Sequence, residues 1–257
     1  MRLALLSCLA LALPLTAAAE AGTVDWQRKV VKCTGTGAPN LQAAGGNVAV
    51  ARIGAERSAK LDALRNCMEA LKGVTVRSGE TVGGALSGTP GLKASVEGVV
   101  KGFRVVGSPR YFSDGGVEMD VEVPIEGKLS DLVMPKGGGE EKAPPASAEG
   151  PGTGLILDAR GSKISPALAP RILDENGKEV YGPGLLTAEA RKWNGAAYAR
   201  NLETARKDLS SRVGEKPVVM KVLRAQGADA VIQNSDADVL RRGQTFLAEG
   251  RVVIVTD

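Results

Sequence analysis

Residues 47–72, NVAVARIGAERSAKLDALRNCMEALK, decide how the first half of this chain folds. Ile53, Leu64, Cys67 and Leu71 are spaced to share one face of a long helix, and Ala49 extends that stripe. Gly73 marks the helix end. Upstream, residues 25–32 read as a strand that runs into Gly35-Thr36-Gly37-Ala38-Pro39, a strand-to-helix turn. Downstream, residues 74–78 read as a strand and 79–91 as an irregular loop. Residues 96–108 and 116–124 carry the Val-rich alternation of paired strands, turning at residues 113–116. One long helix laid across a largely antiparallel sheet is the simplest arrangement, so residues 20–133 are expected to form an α+β domain.

Composition then shifts. Residues 134–153, MPKGGGEEKAPPASAEGPGT, offer nothing that can bury a face and read as a linker. Residues 154–257 alternate element types. The apolar GLILDA of 154–159 is a short strand, and 171–181 is a hairpin whose Asn176-Gly177 turn tolerates positive φ. A helix is expected over 196–212, with Trp193 just outside its stripe. Strands follow at 218–224 and 230–233. Asn234 or Ser235 caps a helix ending near Gly250, and 251–256 is a final strand. The second half is thus expected to be a small α/β domain with one sheet of four to six strands.

Residues 1–19 carry the pattern of an export signal: Arg2, an apolar run from Leu3 to Leu13, and the small residues Ala17-Ala18-Ala19. The run is shorter than the roughly 20 residues a bilayer span needs. The mature protein is therefore expected to begin near Glu20, without a transmembrane span, in the periplasm or associated with the outer membrane. Leu5-Leu6-Ser7-Cys8 also has the look of a lipidation site. Cys33 and Cys67 remain after cleavage, an even pair in an oxidising compartment, and read as a disulfide, with two buried free thiols as the alternative.

The chain is 43% hydrophobic and 24% charged, with only three Phe, three Tyr and two Trp, so its core should be Val, Leu, Ile and Ala. A formal charge of +4 permits weak attraction to anionic cell-wall polymers. Basic and acidic residues are interspersed, without aromatics between basic blocks, which argues against a nucleic-acid surface.

The sequence has no histidine, which removes Ser-His-Asp and Cys-His catalysis and His-ligated metals. Two mature cysteines cannot build an all-Cys zinc site. Gly35-x-Gly37 lacks the third glycine of a dinucleotide fingerprint, and Gly137-Gly138-Gly139 lacks the Lys-Ser/Thr of a phosphate loop. Asn234-x-Asp236-x-Asp238 has Val239 where a calcium loop needs glycine, and reads as a helix cap. No cofactor or metal site is expected. The best polar candidate is Asp158, at the end of an apolar strand, joined by Arg160, Asp174 and Glu175. Trp26 and Trp193 are candidate partner anchors, or else lone buried apolar residues.

One resemblance adds to this reading. Trp26, Val30-Val31-Lys32-Cys33-Thr34-Gly35-Thr36-Gly37-Ala38-Pro39, the Ala-rich helix with Ala51, Ala55, Ala59 and Leu64, Gly73-Val74-Thr75-Val76 and Val121-Glu122-Val123-Pro124-Ile125 together resemble a bacterial small envelope lipoprotein family. That family includes the N-terminal domain of flagellar assembly protein T, and the likeness covers about residues 24–132. It implies a non-enzymatic α+β domain of the cell envelope that takes part in protein assemblies, and it offers no catalytic residues to transfer. The expected role is a structural or adaptor component of an envelope assembly, bound to envelope proteins. The alternative is ligand binding or metal-dependent hydrolysis in the second half, centred on Asp158.

Overall fold

The computed structural model describes residues 22–89, 91–134, 152–242 and 244–257. The expected signal peptide, Cys8 and all but the ends of the 134–153 linker lie outside them. In the first half the order is β1 (Gly22–Asp25), β2 (Val30–Gly37), α1 (Val48–Gly73), β3 (Thr75–Arg77), β4 (Glu80–Thr81), α2 (Val82–Gly88), α3 (Leu92–Val100), β5 (Arg104–Tyr111), β6 (Val117–Pro124) and α4 (Lys128–Val133). Strands β1-β2-β6-β5 form an antiparallel sheet, and α1 lies across it.

Helix α1 starts where the sequence indicates, because the Asn47 side chain accepts hydrogen bonds from the backbone N–H groups of Ala49 and Val50 at 3.0 and 3.2 Å. Its buried face matches the expected one at Cys67 and Leu71, with Leu64 packed beside them, and departs from it at Ala49 and Ile53. Ala51, Ala55, Ala59, Ala63, Cys67 and Leu71 face the sheet, while Ile53 is 50% exposed. The reason lies in β2. Gly35 and Gly37 are not a turn; they belong to the strand, directly under the alanine row. A Cβ on Gly37 would stand 2.6 Å from Ala59 N, and one on Gly35 2.6 Å from Ala63 Cα. Glycine facing alanine lets strand and helix approach at backbone distance, so the small side chains, not the large ones, mark the buried face. Cys33 and Cys67 meet in that seam as a disulfide, with Cα atoms 5.4 Å apart.

Three local expectations change. The 25–32 strand is split by a turn at residues 26–29, which makes a β1–β2 hairpin. The 79–91 loop contains β4 and α2. The Val-rich 96–108 begins as α3, since Val96, Val99 and Val100 are buried at helical spacing, and only its remainder pairs with β6.

The second half runs β7 (Leu155–Asp158), β8 (Ile172–Leu173), β9 (Glu179–Tyr181), α5 (Ala188–Lys192), β10 (Ala197–Ala199), α6 (Leu202–Lys207), α7 (Ser210–Val213), β11 (Val218–Lys221), β12 (Arg224–Gln226), β13 (Asp229–Val231), α8 (Asn234–Arg242), α9 (Gln244–Ala248) and β14 (Val252–Val255). It holds two four-stranded sheets rather than one: parallel β10-β14-β7-β11, and mixed β12-β13-β8-β9. The expected 196–212 helix is a strand followed by two short helices. Ala196 to Ala199 are all buried, as a strand between layers is, and Asn201 caps α6 by accepting from Thr204 N–H at 2.7 Å. Gly177, at φ +79°, makes the 171–181 hairpin turn as expected.

The two halves are docked. Leu168 N–H and Ala169 N–H donate to the Thr75 and Val76 carbonyls at 3.0 and 2.7 Å, so a second-half segment lies against β3. Ser78 Oγ donates to Gln226 O at 2.8 Å and accepts from Ala228 N–H at 2.9 Å. On the other flank Gly127 N–H donates to Lys192 O, and Ser130 Oγ to Arg191 O.

Candidate functional site

The seam between the halves carries the residues best placed for binding. Trp26, at the tip of the β1–β2 hairpin, packs edge-on against Tyr198 of β10, with ring centroids 5.6 Å apart. Tyr198 is buried, and its hydroxyl accepts from Ala167 N–H at 2.8 Å and donates to Ala167 O at 2.9 Å. It thereby fixes the segment that reaches β3. Burial pushes the Tyr198 phenol above its ordinary range, so it stays protonated and keeps both bonds to Ala167.

Above this pair opens a cleft of about 350 Å³ lined by Asp25, Trp26, Lys32, Tyr198, Arg200 and Asp257, among others. It sits at the carboxyl ends of parallel strands β10 and β14, where open α/β sheets bind ligands. Lys32 Nζ lies 2.7 Å from Asp25. Burial works to raise the Asp25 pKa, but the bonds from Lys32 and from Arg28 N–H outweigh it and hold the carboxyl below its usual range. Asp257 accepts from Gly161 N–H at 2.8 Å.

Asp158 ends β7 beside this rim, in register with Val255 of β14. Arg160 grips it with two bonds, Nε at 2.8 Å and Nη2 at 2.6 Å, and that guanidinium holds the Asp158 carboxyl below the ordinary range. Asp174 does not join them. It lies in the β8–β9 turn, accepting from Asn176 and Lys178 N–H at 3.0 and 2.9 Å, with Arg241 of α8 at 2.6 Å on its other oxygen. Glu175 accepts from Asn234 N–H at 2.9 Å, which ties the same turn to the start of α8. The expected four-residue cluster is thus two separate ion-paired sites. Trp193 follows α5 and is 57% exposed, far from lone burial.

These carboxylates are held ionised by cationic partners, an arrangement suited to fixed geometry and ion-pair exchange more than to proton transfer. Among the described residues, no group of three or more His, Cys, Asp or Glu side chains is placed to hold a metal ion. No described helix is long and apolar enough to cross a membrane. Sequence reasoning missed Tyr198, Arg200 and Asp257 as cleft residues. Reading 196–212 as one helix hid the strand end at Ala199, where Arg200 begins the rim.

Fold and seam define a two-domain mixed α/β protein with a charged cleft between its halves. Residues 154–257 match the family described as the second domain of Treponema pallidum Tp0624. The match spans β7 to β14, the whole of the second half. No curated protein matches the chain.

Proposed function

We propose that this chain is an exported, non-enzymatic protein that acts as a structural or adaptor component of a periplasmic or outer-membrane-associated assembly. The buried Cys33–Cys67 disulfide carries the proposal, because such bonds form and persist in oxidising compartments. Residues 1–19 read as the matching export signal. The resemblance of residues 24–132 to the lipoprotein family that includes the N-terminal domain of flagellar assembly protein T supports an envelope assembly, with the flagellar motor as its particular suggestion. Ion-paired carboxylates and the absence of histidine favour binding over chemistry. Envelope proteins are the partners, and a formal charge of +4, or +3 once Arg2 is cleaved away, suits additional contact with anionic wall polymers.

Export is tested by alkylating thiols in living cells and measuring the intact mass of the purified chain. The proposal expects a chain starting near Glu20, with Cys33 and Cys67 unalkylated and joined. A chain that keeps residues 1–19 and alkylates at both cysteines overturns it.

A second reading, ligand binding or metal-dependent hydrolysis by the C-terminal domain, is favoured by one observation: the cleft at the carboxyl ends of β10 and β14. Turnover of a soluble substrate that is lost in Arg200→Ala would select it.

A further inference from the structure

Helix α1 carries a second stripe, half a turn away from its buried alanine row. Ile53, Arg57, Leu61 and Arg65 follow one another at the same spacing as Ala51, Ala55, Ala59 and Ala63, and all four are exposed. Ile53 stands 50% exposed and Leu61 65%, so two large apolar side chains face away from the core while alanines fill it. Val50, one turn before Ile53, is exposed as well. The close approach of Gly35 and Gly37 requires only that the inner face be small. It gives no reason for apolar residues on the outer one.

The charges on this outer face have one sign. Arg57 and Arg65 lie in the stripe, with Arg52 and Lys60 beside it. Over residues 48–65 the acids are Glu56 and Asp62, and both are engaged by the sheet. Glu56 accepts from the Tyr111 hydroxyl of β5 at 2.9 Å, and Asp62 from Thr36 N–H of β2 at 3.0 Å. Arg52 Nε and Arg65 Nη1 reach those carboxylates only at 4.0 Å, the outer limit of an ion pair. Lys60 Nζ lies 4.9 Å over the Phe103 ring. Among the described residues no carboxylate lies within 4.0 Å of Arg57 or Lys60.

Apolar and basic residues on one exposed side of a helix, with no acid among them, form the pattern of a membrane-surface helix. Aliphatic side chains enter the headgroup boundary, and long arginine stems carry their guanidinium groups to the phosphates. The stripe is convex and about 18 Å long from Ile53 to Arg65, with apolar and cationic residues in alternation. A fluid lipid surface moulds itself to such a face. A soluble polyanion would answer the arginines and leave Ile53 and Leu61 in water. We propose that the outer face of α1 docks on an anionic phospholipid membrane, with Ile53 and Leu61 at the headgroup boundary and Arg57 and Arg65 on lipid phosphates. The proposal rests on the reading of the chain as an exported envelope protein and names the surface by which it would meet a membrane.

Sedimentation of the exported chain with lipid vesicles is the test. At low salt the chain should go down with vesicles of mixed phosphatidylglycerol and phosphatidylcholine. It should bind far less to phosphatidylcholine alone, and added salt should release it. Arg57→Gln combined with Arg65→Gln should weaken partitioning at least about tenfold, since one basic residue near an anionic surface contributes about fivefold. Ile53→Gln combined with Leu61→Gln should also weaken it about tenfold or more, through lost apolar burial. All four side chains are exposed, so both double variants should keep the wild-type denaturant midpoint. No binding to the mixed vesicles, equal binding to phosphatidylcholine, or wild-type binding by either double variant would overturn the inference. Competition by soluble polyglutamate, with binding indifferent to Ile53 and Leu61, would overturn it too and reassign the stripe to an acidic polypeptide. An exported, disulfide-bonded chain that ignores the vesicles would remove this surface and leave the wider reading standing.

Discussion

Gly35 of β2 lies against the backbone of Ala59 and Ala63 in α1, so near that an added Cβ would stand 2.6 Å from Ala63 Cα. Neither backbone can yield without parting helix from sheet. Gly35→Ala should therefore cost about 3 kcal/mol or more, the upper range for overpacking. Gly54→Ala, on the exposed side of the same helix with nothing within 4 Å, should instead stabilise by about 1 kcal/mol through helix propensity. Denaturant unfolding of both variants checks the pair, and equal effects would contradict the close-approach account.

That seam also shows what the sequence makes legible. The span of α1 follows from Asn47 and Gly73, and the disulfide from two cysteines in a chain whose start reads as an export signal. The first turns of α1 bury a different face from the expected one because hydrophobic periodicity weights Ile53 above alanine. Here the sheet partner is glycine, and only alanine fits opposite it. Residues 196–199 failed for a related reason: AAYA has high helix propensity, yet burial on every side makes it a strand. The cleft is illegible in the sequence because it joins Trp26 to residues as far along the chain as Tyr198 and Asp257.

The Cys33–Cys67 bridge closes a separation of 34 residues. On the chain-entropy model it should contribute about 3–4 kcal/mol. Unfolding with and without a thiol reductant, and in Cys33→Ser, should show that loss. Unchanged stability on full reduction would contradict it.

Arg212 joins the ends of α5 and α9 by bonding the carbonyls of Trp193, Asn194 and Gly250. Its three-way grip depends on a planar fork, which lysine lacks. Arg212→Ala should lose about 2–4 kcal/mol as charged hydrogen bonds vanish, and Arg212→Lys should recover little of it. Thermal unfolding that ranks lysine with wild type would refute the clamp.

Trp26 and Tyr198 couple the halves. Wild type should unfold in one transition reported alike by fluorescence and circular dichroism. Trp26→Ala should lower stability by about 2–4 kcal/mol and separate the two signals as the halves uncouple. A variant that still unfolds as one unit would show that the Ser78 and Leu168–Ala169 bonds suffice.

Asp174 gives a pH test. The Arg241 guanidinium holds its carboxyl below the ordinary range against the opposing effect of burial, and the Lys178 and Asn176 N–H groups add to the lowering. A depressed folded pKa means the stabilisation is complete above the unfolded value, about 3.9, and fades as pH falls through the folded one. The stability gap between wild type and Asp174→Asn should stay level from neutral pH to about 5 and shrink below about 4. A gap that widens in acid would reverse the assignment.

The proposed place of this protein is inside an envelope assembly. Mild cross-linking in intact cells, fractionation and identification of whatever is joined to the chain test it most directly. Co-sedimentation with a large envelope complex is the expected result. Recovery as a free monomer in the soluble fraction, joined to nothing, would contradict it.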